Sequence, residues 1–169
     1  ADDTPGGKTV YGLVGNDDIY GTVLSDYLYG GMDNDYLYGQ EGDDVLIGQE
    51  GDDELYGGLG NDYYIMDVYN SSISNYDFIF DDGGAADYIV IANEITTSDI
   101  DLYDFGSDLG ISINNFDYFG NDLYIAGQFD AGFGDQNSQI EYIVVQGVVY
   151  NLNHVVQFGF DDTGSGAGD

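Results

Sequence analysis

The chain has no cysteine, one histidine and one basic residue, Lys8, among its 169 residues. Without cysteine no disulfide framework holds the fold, and thiols give no indication of the redox compartment. Nucleic acids and anionic membrane surfaces are bound through clusters of lysine and arginine, so both are excluded as partners. The longest apolar runs, such as residues 88–92, are strand-sized and too short to span a bilayer, so we expect a soluble chain.

Acidic residues dominate the charge of the chain. It carries 33 aspartates and glutamates, for a net charge of -32, beside a hydrophobic content of 43% that is sufficient for a core. So much charge of one sign repels itself and opposes a compact state unless counter-charge is supplied. Divalent cations are the obvious source, and in the absence of disulfides they would also link the fold together.

A nine-residue period runs without a gap through residues 12–65. Each of its six units places glycine first, aspartate sixth and a large apolar residue eighth, as in the calcium-binding nonapeptide of parallel β-helices. The first positions are Gly12, Gly21, Gly30, Gly39, Gly48 and Gly57. The sixth positions are Asp17, Asp26, Asp35, Asp44, Asp53 and Asp62, and the eighth are Ile19, Leu28, Leu37, Leu46, Leu55 and Tyr64. A flexible acidic linker would have no reason to keep that apolar position.

Each unit is interpreted as a tight turn followed by a very short strand, with two units per coil. Turns that stack on one another therefore come from alternate units, which pairs aspartates 18 residues apart. Glycine lets the backbone approach an ion, and the aspartate supplies the hard anionic oxygen that Ca²⁺ prefers. Four sandwiched calcium sites are predicted, with half-sites at the ends. The predicted aspartate pairs are Asp17 with Asp35, Asp35 with Asp53, Asp26 with Asp44, and Asp44 with Asp62.

Three residues depart from the pattern. Asp33 stands at position four of the third unit, and aspartate tolerates a left-handed backbone. Leu24 stands at position four, where glycine is usual, and leucine tolerates a left-handed backbone poorly. We expect a reshaped turn there and a weaker calcium site. Lys8 falls where an earlier unit would have its aspartate, so its ammonium group either replaces a missing calcium ion as a cap or is an ordinary solvated lysine.

The repeats resemble the RTX (repeat-in-toxin) family of secreted bacterial proteins, and the segments at 86–91, 108–113, 123–129 and 140–152 are similar to the region that follows such repeats. The resemblance implies a right-handed parallel β-roll, export as an unfolded chain through a type I channel, and folding on extracellular Ca²⁺. It also implies that the ligands are the sixth-position aspartates with backbone carbonyls of positions one and three. The expected third-position carbonyls are those of Val14, Met32, Glu41, Glu50 and Leu59.

Beyond residue 65 the period is lost, but short strand patterns continue. We predict an all-β chain with a cap strand at 1–11, the β-roll at 12–65, an antiparallel β cap or sandwich at 66–158 and a flexible tail at 159–169. Val145 to Val148 would close a two-residue hairpin around Gln146 and Gly147. Asp87 is read mainly as a turn residue, with a further calcium ligand as the alternative.

Side chains at positions seven and nine point away from the roll's core. In the odd units they form a mixed surface with a tyrosine ladder of rungs about 4.8 Å apart. In the even units they are too apolar to remain wet, so we expect that face to be covered by the second domain, a neighbouring domain or a second subunit. Position three lacks the threonine array of an ice-binding surface.

Three roles are weighed for the module. The first is a structural and secretion module of an adhesin, toxin or secreted enzyme, with neighbouring domains as partners. The second is a calcium-dependent glycan- or surface-binding domain, because 17 tyrosines supply stacking surfaces. The third, catalysis, is not expected: no nucleophile-elbow serine is present, and His154 suits packing or the surface.

Overall fold

A computed structural model of the chain describes residues 6–66, 76–91, 95–104, 108–113, 121–126, 140–152 and residue 155. Strands β1 to β7 span the repeats. They are β1 (Thr9–Val14), β2 (Asp18–Tyr20), β3 (Tyr27–Met32), β4 (Tyr36–Glu41), β5 (Val45–Glu50), β6 (Glu54–Leu59) and β7 (Tyr63–Met66). No helix among the described residues is long and apolar enough to cross a membrane.

The repeats form two parallel sheets. Strands β1, β3, β5 and β7 pair in one sheet, and β2, β4 and β6 pair in the other. Partners are 18 residues apart, as in Val10 opposite Leu28 and Leu28 opposite Leu46. The predicted β-roll, in which successive strands alternate between two sides, is therefore confirmed.

Most strands of the roll are longer than the period alone indicates. In three of the strand pairs the pairing reaches position three, so the strands continue past the glycine, as Leu13 pairs with Gly31 and Val14 with Met32. Position two bends the strand through a left-handed residue, for which φ is 84° at Gln40. What sequence patterning assigned to the turn is thus partly strand.

The segment after the repeats was wrongly predicted to be antiparallel throughout. Four of its strands extend the two sheets of the roll in parallel: β8 (Tyr76–Phe80) pairs with β6, β9 (Tyr88–Ile91) with β7, β12 (Asn121–Ile125) with β8, and β13 (Tyr142–Val145) with β9. Antiparallel pairing is confined to the ends of the sheets, where β10 (Ile100–Asp104) and β11 (Leu109–Ile113) follow β12, and β14 (Val148–Asn151) follows β13. The cap continues the solenoid because the last coils still offer unpaired strand edges.

The hairpin between β13 and β14 has the predicted two-residue turn. Val145 pairs with Val148, and both central residues are left-handed, with φ of 52° at Gln146 and 76° at Gly147. Two positive φ values are typical of the type I′ turn that matches strand twist. The domain boundaries themselves remain a prediction.

Within the repeats the core between the sheets is built on a row of position-eight side chains, which continues beyond the repeats. Each of them is at most 5% exposed. They are Ile19, Leu28, Leu37, Leu46, Leu55 and Tyr64, followed by Ile79, Ile89 and Ile143. Since large aliphatic side chains each gain roughly 1.5–3 kcal/mol on burial, this row is a main source of metal-independent stability.

Aromatic side chains stack along both outer faces. On the odd face Tyr20, Tyr38, Tyr56 and Phe80 form a continuous row with ring centroids 4.7–4.8 Å apart, which confirms the ladder. On the even face Tyr27 remains 50% exposed. The described part of the second domain extends the ends of the sheets and leaves Tyr27 open. Coverage of the even face by the second domain, a neighbouring domain or a second subunit stays a prediction.

Candidate metal centre

Two stacks of aspartates run along the two turn sides of the roll. The first stack is Asp17, Asp35, Asp53 and Asp77, and the second stack is Asp26, Asp44, Asp62 and Asp87. Within each stack, every aspartate donates its backbone N–H to the Oδ1 atom of the next one, over 2.7–3.1 Å. The four predicted aspartate pairs are all brought together in this way.

The second carboxylate oxygen of these aspartates is the chemically unusual atom. The Oδ2 atoms of Asp17, Asp35, Asp44, Asp53, Asp62 and Asp87 are buried and have no hydrogen-bond partner. A buried charged oxygen without a partner destabilises a fold strongly, unless a cation is bound to it. Every unit of the repeats except the second therefore presents one oxygen suited to a metal ion.

The position-one glycines form the other wall of each site. A methyl group built on Gly39 would lie 2.4 Å from Asp44 Oδ2 and 2.4 Å from the carbonyl oxygen of Gly57. Around Gly12 the corresponding neighbours are Asp17 Oδ2 at 2.8 Å and the Gly30 carbonyl at 2.4 Å. A carboxylate oxygen and a backbone carbonyl of the next coil thus meet at the glycine, and only hydrogen leaves room for them.

These donors fit a calcium ion. Ca²⁺ takes six to eight hard oxygen ligands, with carboxylates and backbone carbonyls prominent among them. The unpartnered Oδ2 atoms and the position-one carbonyls are ligands of that kind. They can lie close to one another because the position-one residue is glycine.

The third-position residues take no part through their side chains. Val14 is 71% exposed and Leu59 is 57% exposed, and Met32, Glu41 and Glu50 also lie at least partly in solvent. The carbonyls of Met32 and Leu59 accept hydrogen bonds from the amides of Gly15 and Gly42. Their role as ligands remains a prediction, as does the position-one assignment.

Burial raises the pKa of three stacked carboxyl groups within the repeats, those of Asp44, Asp53 and Asp62. It takes the pKa of Asp44 to about 6 and those of Asp53 and Asp62 to about 7, against the lowering effect of the backbone N–H each accepts. The neighbouring carboxylate in the stack adds to the rise. Without metal the stacks therefore favour bound protons.

We expect the metal-free and calcium-loaded forms to respond oppositely to pH. Because these pKa values are raised above that of an unfolded aspartate, near 3.9, the folded metal-free chain binds more protons, and its stability falls as pH rises from about 4 to about 7. Calcium competes with the same protons, so its affinity rises over that window. Circular dichroism in chelator at pH 5 and 8, with calcium titrations at both, checks this. Equal β signal in chelator at the two pH values would contradict it.

The second turn differs from all the others, as Leu24 predicted. Thr22 donates both its backbone N–H and its hydroxyl to Asp26 Oδ2, at 2.5 Å and 3.0 Å. Asp26 thereby uses the oxygen that its counterparts leave open. Position four has a positive φ in the other turns, for example 107° at Gly15 and 76° at Asp33, whereas Leu24 does not. In this turn, hydrogen bonds from Thr22 therefore take the place that a calcium ion would have at Asp26 Oδ2.

Restoring glycine at both sites is expected to open this turn. The Thr22→Gly, Leu24→Gly variant removes the hydroxyl donor and permits a left-handed backbone at both positions, so the N–H of residue 22 can turn away from Asp26 Oδ2 and calcium binding should gain one site. Isothermal titration calorimetry on the variant and the wild type measures the stoichiometry. The single Leu24→Gly variant is the control, since Thr22 still occupies the aspartate, and an unchanged stoichiometry in the double variant would contradict the prediction.

Lys8 contributes through its backbone. Its N–H donates to Asp26 Oδ1, which starts the second stack one coil before the repeats. The side chain is exposed. The structure therefore favours the solvated lysine over the ammonium cap.

The pattern at the sixth position continues beyond the repeats, and the sequence reading missed most of it. Asp77 and Asp87 are 6% and 0% exposed and extend the two stacks, so Asp87 is a stack member rather than a plain turn residue. Glu141 ends the second stack by accepting the N–H of Asp87 at 2.9 Å. The detectable signal was an acid, an aromatic and an isoleucine in succession, at 77–79, 87–89 and 141–143. His154 lies outside the described residues.

Fold and site together define a calcium-binding parallel β-roll. Residues 29–64 match the family model of the RTX calcium-binding nonapeptide repeat in four copies, and the chain thus carries RTX repeats. No curated protein matches the chain.

Among solved structures, the chain is similar to the AlgE6R3 subunit of the mannuronan C5-epimerase from Azotobacter vinelandii. The two are 24% identical, the match covers 85% of this chain and 86% of that one, and the TM-score is 0.50. At this identity the likeness supports the fold alone.

Proposed function

We propose that this chain is a calcium-binding RTX module of a secreted bacterial protein, which folds on extracellular Ca²⁺ after type I secretion and serves as a structural and secretion module without catalysis of its own. One observation supports this above all: the repeated, buried Oδ2 atoms that have no partner. They recur at every coil, whereas a catalytic constellation would occur once.

The size of the expected effect supports a folding role. A ligand that binds only the folded state stabilises it by about 2.7 kcal/mol at 100 times its dissociation constant, so four sites contribute roughly 11 kcal/mol. That is comparable to the whole stability of a domain, about 5–15 kcal/mol. Extracellular modules bind calcium with dissociation constants of about 10⁻⁴ to 10⁻³ M, far above cytosolic calcium levels. We therefore propose a chain that is unfolded before export and folded after it.

The test is a calcium titration of the purified chain from excess chelator, followed by far-ultraviolet circular dichroism and calorimetry. We expect little β signal in chelator, a cooperative gain with calcium, and at least four ions bound. Magnesium at the same concentrations is the matched control. Full β signal in chelator would refute folding on calcium, and absence of calcium binding would refute the function itself.

Glycan binding is the second candidate, and the stacked aromatic rows favour it. Tyr20 is 57% exposed at the end of the row that continues through Tyr38 and Tyr56. Flat aromatic surfaces of this kind suit sugar rings. A glycan array probed with the calcium-loaded chain tests the idea. The absence of any hit would exclude glycan binding and retain the structural module as the function.

A further inference from the structure

A third carboxylate enters the site at the end of the second stack. Tyr56 of β6 pairs with Phe80 of β8, so the residue that follows in the next coil, Asp81, lies where Gly57 lies in the coil before. An acid thus occupies the slot that holds glycine in the repeats. Its carboxylate oxygen lies within 4.8 Å of those of Asp62 and Asp87.

The three Oδ2 atoms at this position are all buried and unpartnered. Asp62 and Asp87 are 0% exposed, and the Oδ2 atoms of both, with that of Asp81, lack a hydrogen-bond donor. Repeat sites combine two stacked aspartates, whereas this one adds a third acid. Three carboxylates facing one another without a counter-charge repel strongly in a buried site.

Tyr64 holds the additional acid in place. It is the sole tyrosine in the position-eight row of the repeats, is 0% exposed, and donates its hydroxyl to Asp81 Oδ1 at 2.8 Å. That hydroxyl lies beside Gly57, 2.1 Å from where a methyl group on that glycine would be. Two departures from the repeat pattern, tyrosine for an aliphatic residue and aspartate for glycine, therefore contact each other. This pairing uses Asp81 Oδ1, leaves Asp81 Oδ2 without a partner beside the other two acids, and indicates a built site.

We propose that Asp62, Asp81 and Asp87 bind one Ca²⁺ ion in a site distinct from the repeat sites, and that it is the tightest calcium site of the chain. The donors are all hard oxygens, and affinity for Ca²⁺ rises with the number of charged ligands and the rigidity of the site. Because Asp81 and Asp87 flank the turn between β8 and β9, the ion also joins the repeats to the segment that follows them. This inference rests on the proposed calcium-binding function.

The experiment is competitive calcium titration calorimetry of the whole chain, comparing wild type with Asp81→Asn and Asp82→Asn. Asp82 is the matched control, because it is the adjacent residue, is exposed, and loses the same charge. We expect one site per chain to lose about tenfold in affinity in Asp81→Asn, the effect of about 1.4 kcal/mol from one charged ligand, with the other sites unchanged. Asp82→Asn should match wild type.

A second variant covers failure to fold. Asp81→Gly restores the repeat residue, so it should fold in calcium, as judged by circular dichroism, and lack the tightest site. Wild-type affinity for the tightest site in either folded variant would overturn the inference while leaving the repeat sites intact. No calcium binding by the wild type would instead refute the proposed function.

Discussion

Gly39→Ala is expected to raise the calcium midpoint for folding above the calcium concentrations that saturate the wild type. The new methyl group would lie 2.4 Å from both Asp44 Oδ2 and the Gly57 carbonyl, and neither can retreat without disrupting its stack. Overpacking alone costs about 1–3 kcal/mol, and one lost calcium site adds about 2.7 kcal/mol at 100 times its dissociation constant. Calcium titration followed by circular dichroism measures the shift in midpoint.

The control for this variant is Gly6→Ala. A methyl group on Gly6 meets nothing within 4 Å, so the same substitution there should leave the calcium midpoint unchanged. Gly39 does not have a positive φ, which means that the predicted loss reports space and not backbone strain. A wild-type midpoint for Gly39→Ala would show that the glycine wall is dispensable.

Asp44→Asn is expected to destabilise the fold in calcium but not in chelator. Asp44 stacks on Asp62, so the amide group would enter the calcium site between them and raise the calcium midpoint, with about 2.7 kcal/mol of stabilisation lost at 100 times the dissociation constant if that site fails. In chelator at pH 8 the same change removes a buried charge whose pKa is raised to about 6. There the variant should retain at least as much β signal as the wild type.

Asp18→Asn provides the matched charge control, because Asp18 is exposed at position seven of the first unit. It should move the calcium midpoint far less than Asp44→Asn. If the two variants shifted the calcium midpoint equally, the loss of one negative charge would explain the shift, and the position of Asp44 in the stack would not explain it.

The parts of the fold that follow from strict periodicity were predictable. Nine residues fix which aspartates share a side, and the invariant apolar position fixes the core row, as Leu37 at 0% exposure shows. The disturbed second turn was also predictable, because Leu24 opposes the backbone conformation required there. The hydrogen bond from the Thr22 hydroxyl to Asp26 was not predictable, because residue spacing does not show that a nearby side chain will take the place of the ion.

The continuation of the roll was hidden by changes in spacing. Asp77 follows Asp53 by 24 residues and Asp87 follows Asp62 by 25, where the repeats keep 18. A fixed-period search loses such coils, although strand pairing tolerates longer loops between them. Asp81 was missed for a different reason: it stands in a glycine slot, so no repeat consensus marks it as a ligand.

The alternation of strands between two sheets restricts how this protein can change in length during evolution. Removing eighteen residues would delete a whole coil and return Asp87 to the same side of the molecule as its partners. Removing nine from within the repeats would exchange the two sheets for the strands on one side of the deletion, so Tyr20 would no longer stack below Tyr38, Tyr56 and Phe80 if the second unit were lost. Homologous rolls that keep a continuous aromatic row on one face should therefore gain or lose units in even numbers, a parity rule that sequence comparison can test.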